Sequence, residues 1–311
     1  MPRNIYINDD PTKPATSIYV KDGGSWRTVQ EVWVKESGSW VQTWPSNQAA
    51  WDITGAEFSG TKDLSAWDLQ PTGINFSSDG LKLYVCGIAN DAIYQYTLST
   101  AYDITTATYY GATNPTYSTA TNPINVFFDT TGTKMYVNYW SGTPVFIQWS
   151  LGTAWDITSS RSYVASKTPT GTNDGMILGP SGNYLYGTNS SSSNTYYRYD
   201  FGTAYSVSTL GTTATASKTV SNSGYPIGFF IKPDGTRLYA AGSVGTGTTA
   251  GYVQEYSMSP AWDITTLALT GNTFTAALNQ IVYGLWFSPD GKKMYMTSTG
   301  SHSIEQYTLA D

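Results

Sequence analysis

Apolar residues along this chain come in short bursts. Gly73-Ile74-Asn75-Phe76-Ser77, Leu83-Tyr84-Val85, Ile93-Tyr94-Gln95-Tyr96-Thr97-Leu98 and residues 102–110 follow one another, with Gly, Asp, Asn or Ser between them. Each burst is rich in β-branched and aromatic residues and too short for a helix, which is the signature of strands joined by hairpins. Asp79-Gly80 stands between the first two bursts, where glycine supplies the positive φ that a tight turn needs. The pattern predicts a unit of four antiparallel strands.

That unit recurs with a period of about fifty residues, the mark of a repeat architecture. An aromatic-Asp-Ile-Thr phrase keeps time at Trp51-Asp52-Ile53-Thr54, Tyr102-Asp103-Ile104-Thr105, Trp155-Asp156-Ile157-Thr158 and Trp262-Asp263-Ile264-Thr265, with an eroded copy at Tyr205-Ser206-Val207-Ser208. The turns Thr131-Gly132, Ser181-Gly182, Asp234-Gly235 and Asp290-Gly291 fall in step. So do the second-strand residues Tyr136, Tyr186, Tyr239 and Tyr295, and the third-strand residues Trp149, Tyr199, Tyr256 and Tyr307. Four-stranded units repeated radially make a β-propeller. The last unit stops after a third strand at 304–309, while an unclaimed strand at 51–58 precedes the first. The chain is therefore expected to be all-β, with a five-bladed β-propeller over 45–311. Its N-terminal strand would close the last blade and remove the open edges.

Residues 1–44 follow a different rhythm. Val20-Lys21-Asp22-Gly23-Gly24-Ser25-Trp26 and Val34-Lys35-Glu36-Ser37-Gly38-Ser39-Trp40 are two copies of a strand-turn-strand pattern, together predicting a small β-meander. So few strands without disulfides seldom bury enough surface to stand alone. Trp26, Trp33 and Trp40 are the expected attachment residues, either to a partner or to the chain's own propeller.

Ile231-Lys232-Pro233-Asp234-Gly235-Thr236-Arg237-Leu238-Tyr239 and Phe287-Ser288-Pro289-Asp290-Gly291-Lys292-Lys293-Met294-Tyr295 resemble the S-P-D-G-x-x-x-Y core of YVTN-type propeller repeats. Gln95-Tyr96-Thr97-Leu98-Ser99-Thr100-Ala101-Tyr102-Asp103 is similar to propeller repeats of bacteriophage virion proteins, and the leader resembles N-terminal pieces of phage minor structural proteins. The resemblance implies a virion protein that is made in the host cytoplasm without a signal peptide. It also implies oligomeric display on the particle and attachment to other virion proteins through the leader. Fold alone does not assign function.

Composition narrows the chemistry. With 16 basic residues against 22 acidic ones and a net charge of −6, nucleic acid is a poor partner. No apolar run approaches the roughly 20 residues of a membrane helix. One cysteine, Cys86, and one histidine, His302, exclude zinc clusters and leave a histidine-based triad without a marked nucleophile. No cofactor or metal is expected. Acids at the repeated positions, Asp52, Asp103, Asp156 and Asp263 or Asp79, Asp234 and Asp290, read as turn and capping devices. Glu255 and Glu305 are expected in the slot of Gln95, Gln148 and Arg198. Off the pattern, only Asp91 and Asp174 are expected near the channel mouth, too few for glycoside hydrolysis, which needs a carboxylate pair.

Binding is the expected class. The loops from outer to inner strands and from second to third strands carry aromatic and amide side chains, the combination a sugar ring uses for stacking and hydrogen bonding. Trp140, Tyr139, Tyr225, Asn90, Asp91, Asp174 and Trp67 are the candidate ligand residues, with no catalytic residue among them. The sequence reading is a non-enzymatic virion protein that adheres to host surface glycans. A capsid decoration or tail accessory and a polysaccharide-cleaving propeller enzyme are the alternatives.

Overall fold

The computed structural model describes residues 49–310 except 116–119, 141–143, 173, 190–193, 221–223, 245–250 and 277–281. Residues 224–226 and 243–244 and the leader's strands are described as backbone only. Five four-stranded antiparallel sheets form the blades of a five-bladed propeller. The inner strands are Pro71–Phe76, Pro123–Phe128, Met176–Leu178, Gly224–Ile231 and Val282–Phe287. Blade five takes its outermost strand from the N-terminal side: Glu57–Asp63 pairs with Ser303–Thr308, so the ring is closed as expected.

The closing strand begins later than the expected 51–58, because Trp51 and its neighbours form a turn. Trp51 has φ 72°, and the Asp52 carboxylate accepts the Thr54 N–H at 2.9 Å. Blade one shows the same offset, with its outer strand at Ala107–Thr113 after a short 3-10 turn at Ile104–Thr106. In the leader, Tyr19–Asp22 pairs with Ser25–Thr28 and Val32–Glu36 with Ser39–Trp44. The two copies thus make separate hairpins, and Ile5–Tyr6 adds to the first.

The aromatic-Asp-Ile-Thr phrase is a clasp. In all five copies the aromatic residue sits at positive φ, from 57° at Tyr102 to 72° at Trp51. Its N–H donates to the carbonyl of the turn glycine at 2.9–3.0 Å, and its ring lies on that glycine. A Cβ on Gly80, Gly132, Gly182, Gly235 or Gly291 would come within 2.2–2.5 Å of the ring, so these glycines are fixed both by positive φ and by the ring above them. The residue two places on (Ile53, Ile104, Ile157, Val207 or Ile264) is fully buried. Asp103 and Asp263 cap the turn by accepting N–H groups of Thr105 and Thr265. The repeated acids are turn and capping devices, as the sequence suggested.

Two further repeated residues tie each blade to its neighbour. The second-strand tyrosine hydroxyl donates to the clasp aromatic's carbonyl across the junction: Tyr84 to Trp155 at 2.6 Å, Tyr136 to Tyr205 at 2.8 Å, Tyr186 to Trp262 at 3.3 Å, Tyr239 to Trp51 at 2.9 Å and Tyr295 to Tyr102 at 2.5 Å. Beside it, Gln95, Gln148 and Gln306 accept the buried N–H of Ile157, Val207 and Ile104 at 2.9–3.0 Å. Gln306, not Glu305, fills this slot, since it directly precedes Tyr307 as Gln95 precedes Tyr96. In the other two blades this slot holds Arg198 and Glu255, which bond within their own blade, to Asp200 and Arg237, each at 3.2 Å.

Apolar side chains fill the wedges between blades. One cluster joins Leu83, Val85 and Tyr96 of blade one to Tyr295 and Ile304 of blade five. Cys86 is buried as expected, and burial pushes its thiol well up. Outer strands bulge, for instance between Tyr109 and Gly111 and opposite Gln306/Tyr307. Such bulges spoil the exposed edges as templates for further pairing.

Candidate functional site

Where the inner strands run into their turns, they surround a funnel of about 300 Å³ on the propeller axis. One repeat position, held by Asn75, Phe127, Phe230 and Trp286, lines it in four blades, together with Phe76, Phe128, Leu178 and Phe287 and the clasp rings of Tyr102, Trp155 and Tyr205, while the fifth copy, Ile177, lines the chamber beside it. The residues on either side of it, Ile74 and Phe76, Val126 and Phe128, Met176 and Leu178, Phe229 and Ile231, and Leu285 and Phe287, are apolar in every blade, whereas the position itself ranges from an amide to an indole. Trp286 stands 4.5 Å from Phe76, is nearly parallel to Tyr102 at 5.8 Å and 18°, and meets Phe230 edge-on at 6.3 Å and 70°. Exposed Ser78, Thr130, Pro180, Pro233 and Pro289 form the rim, where the prolines fix the backbone. A deeper chamber of about 150 Å³ adjoins the funnel and reaches Asn125, Phe229 and Leu285.

The polar groups here are few and committed. Asn75 donates through Nδ2 to the Val126 carbonyl at 2.9 Å. Asp129 accepts the Thr131 hydroxyl at 2.7 Å and the Lys134 N–H at 2.9 Å, which binds it into its own turn. Tyr102 donates to the Ser78 carbonyl at 2.8 Å and Tyr205 to that of Pro180. Burial, joined by the charge of Asp79, raises the Tyr102 phenol above its ordinary range. Among the described residues no Lys, Arg or His lines the funnel.

The residues singled out from sequence lie on the opposite face. Trp67 is 39% exposed, and its ring stacks on Tyr109 at 3.6 Å. Its carbonyl accepts from Asn90 Nδ2 and Tyr94 Oη, each at 2.8 Å. Asp91 accepts the Asn122 N–H at 2.5 Å, and Asn122 bonds in both directions with the backbone of Trp140, so these three share one rim segment. Trp140 is 45% exposed, whereas Tyr139 is buried and donates to the Pro115 carbonyl at 2.6 Å. Asp174 stands half-buried at the mouth, where its charge adds to the burial that raises Tyr283. The side chains of Tyr225, Trp26, Trp33 and Trp40 lie outside the described residues, as do Tyr117, Ser141, Gly142 and Asn173 in the loops read as binding elements. Buried Asp68 organises this face by accepting from the N–H groups of Gln70 and Asn90 and from Tyr94. Among the described residues no three His, Cys, Asp or Glu side chains gather as a metal set.

Sequence reasoning passed over the funnel because it sought departures from the repeat in loops. The usable signal was one inner-strand slot reading Asn, Phe, Ile, Phe, Trp.

No family model matches this chain. No curated protein matches it either. Among solved structures it is similar to a "putative 6-phosphogluconolactonase" from Bacteroides uniformis, at 15% identity and TM-score 0.44, over 84% of this chain and 78% of that one. A second "putative 6-phosphogluconolactonase", from Bacteroides fragilis, aligns at 15% identity and TM-score 0.43, over 85% and 69%. A protein from Lactobacillus plantarum aligns at 17% identity and TM-score 0.42, over 73% of this chain and 63% of its own length. The reading of a non-enzymatic virion protein is corrected accordingly: two of these propellers carry an enzyme's name, and neither a family model nor a curated relative speaks for phage origin. At these identities the likeness is one of fold, and the named activity belongs to those proteins. The chain is a five-bladed β-propeller.

Proposed function

We propose that this propeller binds a neutral, ring-shaped organic ligand in its axial funnel, a sugar ring being the type. The observation that carries this reading is the aromatic lining of the funnel, in which one inner-strand position presents Asn75, Phe127, Phe230 and Trp286 between apolar neighbours. An apolar concave site walled by aromatic rings suits a ring that stacks on one face and keeps its polar edge toward the open rim. A phosphorylated or carboxylated ligand would need a cation, and among the described residues no basic side chain lines the wall.

The test is calorimetric titration of the purified full chain with neutral mono- and oligosaccharides and sugar lactones, with product formation followed by mass spectrometry in the same samples. Saturable binding is expected, weakened about two- to tenfold in Trp286→Leu, since aromatic contacts are worth about 0.5–1.5 kcal/mol beyond burial. Trp140→Ala should leave affinity unchanged. Binding lost with Trp140→Ala but kept in Trp286→Leu would move the site to the opposite face and overturn the proposal. Release of product would extend binding to turnover.

A further inference from the structure

Toward the opposite face from the funnel wall, the inner strands approach most closely at one layer. Its five positions are Gly73, Asn125, Gly175, Gly228 and Gly284. A Cβ on Gly73 would sit 2.2 Å from the Ile124 carbonyl oxygen. On Gly175, Gly228 and Gly284 it would lie 2.4 Å from the carbonyl oxygens of Ile227, Tyr283 and Thr72. The glycines are required because a neighbouring blade's carbonyl occupies the space of a side chain. Successive junctions thereby bring backbone acceptors to this layer.

Blade two alone has a side chain here. The Asn125 Oδ1 is buried and has no hydrogen-bond partner, although it is an acceptor. Directly across the ladder from it stands Asn138, whose side chain is fully buried and whose Oδ1 is likewise unpartnered. The Asn138 amide is held in this orientation because its Nδ2 donates to the Asp174 carbonyl at 3.3 Å. Directly opposed residues of an antiparallel pair project on the same side of the sheet. Two opposed residues of this ladder thus each carry a buried amide oxygen without a donor, each costing about 1–3 kcal/mol if left so.

We propose that a single hard cation binds at this layer, coordinated by the Asn125 and Asn138 side-chain oxygens together with inner-strand carbonyls. Carbonyl and amide oxygens are the ligands such ions choose. A water molecule has only two protons to donate, whereas the acceptors here include two amides and several carbonyls. The chain's net charge of −6 also favours cation uptake. Sodium, potassium and calcium share this chemistry, and the experiment separates them. Asn125 also borders the chamber beside the funnel, so the two readings are told apart by Trp286→Leu, which should weaken the funnel ligand and keep the ion response.

The test is thermal unfolding of the full chain, freed of metal by chelation and exchange into tetramethylammonium chloride. Na⁺, K⁺, Ca²⁺ or Mg²⁺ is then added at constant ionic strength, and bound metal is counted by atomic emission after gel filtration. One ion should raise the melting temperature saturably, by about 5 °C at a hundredfold excess over its Kd, with one ion retained per chain. Asn125→Gly, which gives blade two the residue of the other four, should stay folded and lose the response. Asn138→Leu should lose it as well. A melting temperature indifferent to all four ions would overturn the proposal in favour of a buried water. A response kept in both variants would overturn it by placing the ion elsewhere.

Discussion

On the funnel face each blade repeats the same construction, while on the opposite face the described loops are held by contacts particular to each. The funnel face has five clasps with an aromatic ring over a turn glycine, five tyrosine hydroxyls on neighbouring carbonyls, and acids bound into their own turns. The opposite face is held by individual arrangements, such as Trp67 on Tyr109 with Asn90, or Asp91 through Asn122 to the Trp140 backbone. Repetition commits the clasp N–H groups, the second-strand tyrosine hydroxyls and the turn acids of the frame to one another. A departure inside that frame therefore tells more than one in a loop that was never constrained. The funnel wall and Asn125 are departures of the first kind, and Trp140 is of the second.

The largest effect expected from this contrast is at the axial layer. Gly284→Ala forces a Cβ against the Thr72 carbonyl and should cost about 3 kcal/mol or more. Gly271→Ala, with φ 93° but no neighbour within 4 Å, should cost only about 1 kcal/mol. Urea unfolding measures both, and equal costs would mean that the inner strands are not so tightly drawn together.

Next come the blade ties. Gln95→Ala strands the buried Ile157 N–H and should destabilise by about 1–3 kcal/mol. Tyr84→Phe removes one hydroxyl bond, worth about 1 kcal/mol. Trp140→Ala, an exposed change on the irregular face, should stay within about 0.5 kcal/mol in the same assay. If Trp140→Ala proved as costly as Gln95→Ala, the two faces would not differ in the way described.

The smallest effects are those of pH. Burial pulls the Asp234 carboxyl upward, but bonds from Lys232 and from the Thr236 hydroxyl and N–H outweigh it and hold the pKa at about 2. Its contribution is present above the unfolded value and is lost as pH falls from about 4 toward 2. The side chain is 49% exposed, so solvent screens the effect, and Asp234→Asn should flatten the acid limb only slightly. Glu305 behaves oppositely, because burial raises its pKa while the Tyr307 hydroxyl bond partly offsets this. A raised carboxyl contributes below its unfolded pKa and ceases to as pH rises through the folded one. Glu305→Gln should accordingly stabilise the closing blade at neutral pH and not at pH 4. Denaturant midpoints from pH 2 to 7 would show both trends.

The sequence by itself determined the five blades, the ring closure and the role of the repeated acids. These follow from local signals that recur: strand periodicity, turn glycines and an Asp that caps its own turn. It misjudged the closing strand's start, since a positive φ at Trp51 belongs to a clasp whose glycine partner, Gly291, lies at the other end of the chain. It placed Glu305 for Gln306 by a slip of one residue against its own register, in which Gln306 precedes Tyr307 as Gln95 precedes Tyr96, and the structure added what the slot does, which is to accept the N–H of Ile104 across a blade junction. The funnel and the paired amides were decided by tertiary structure alone. Asn75, Phe127, Ile177, Phe230 and Trp286 are about fifty residues apart along the chain and become the lining of the funnel and its chamber only when the ring closes. Likewise, Asn125 and Asn138 lose their donors only when burial removes the water that would otherwise satisfy them.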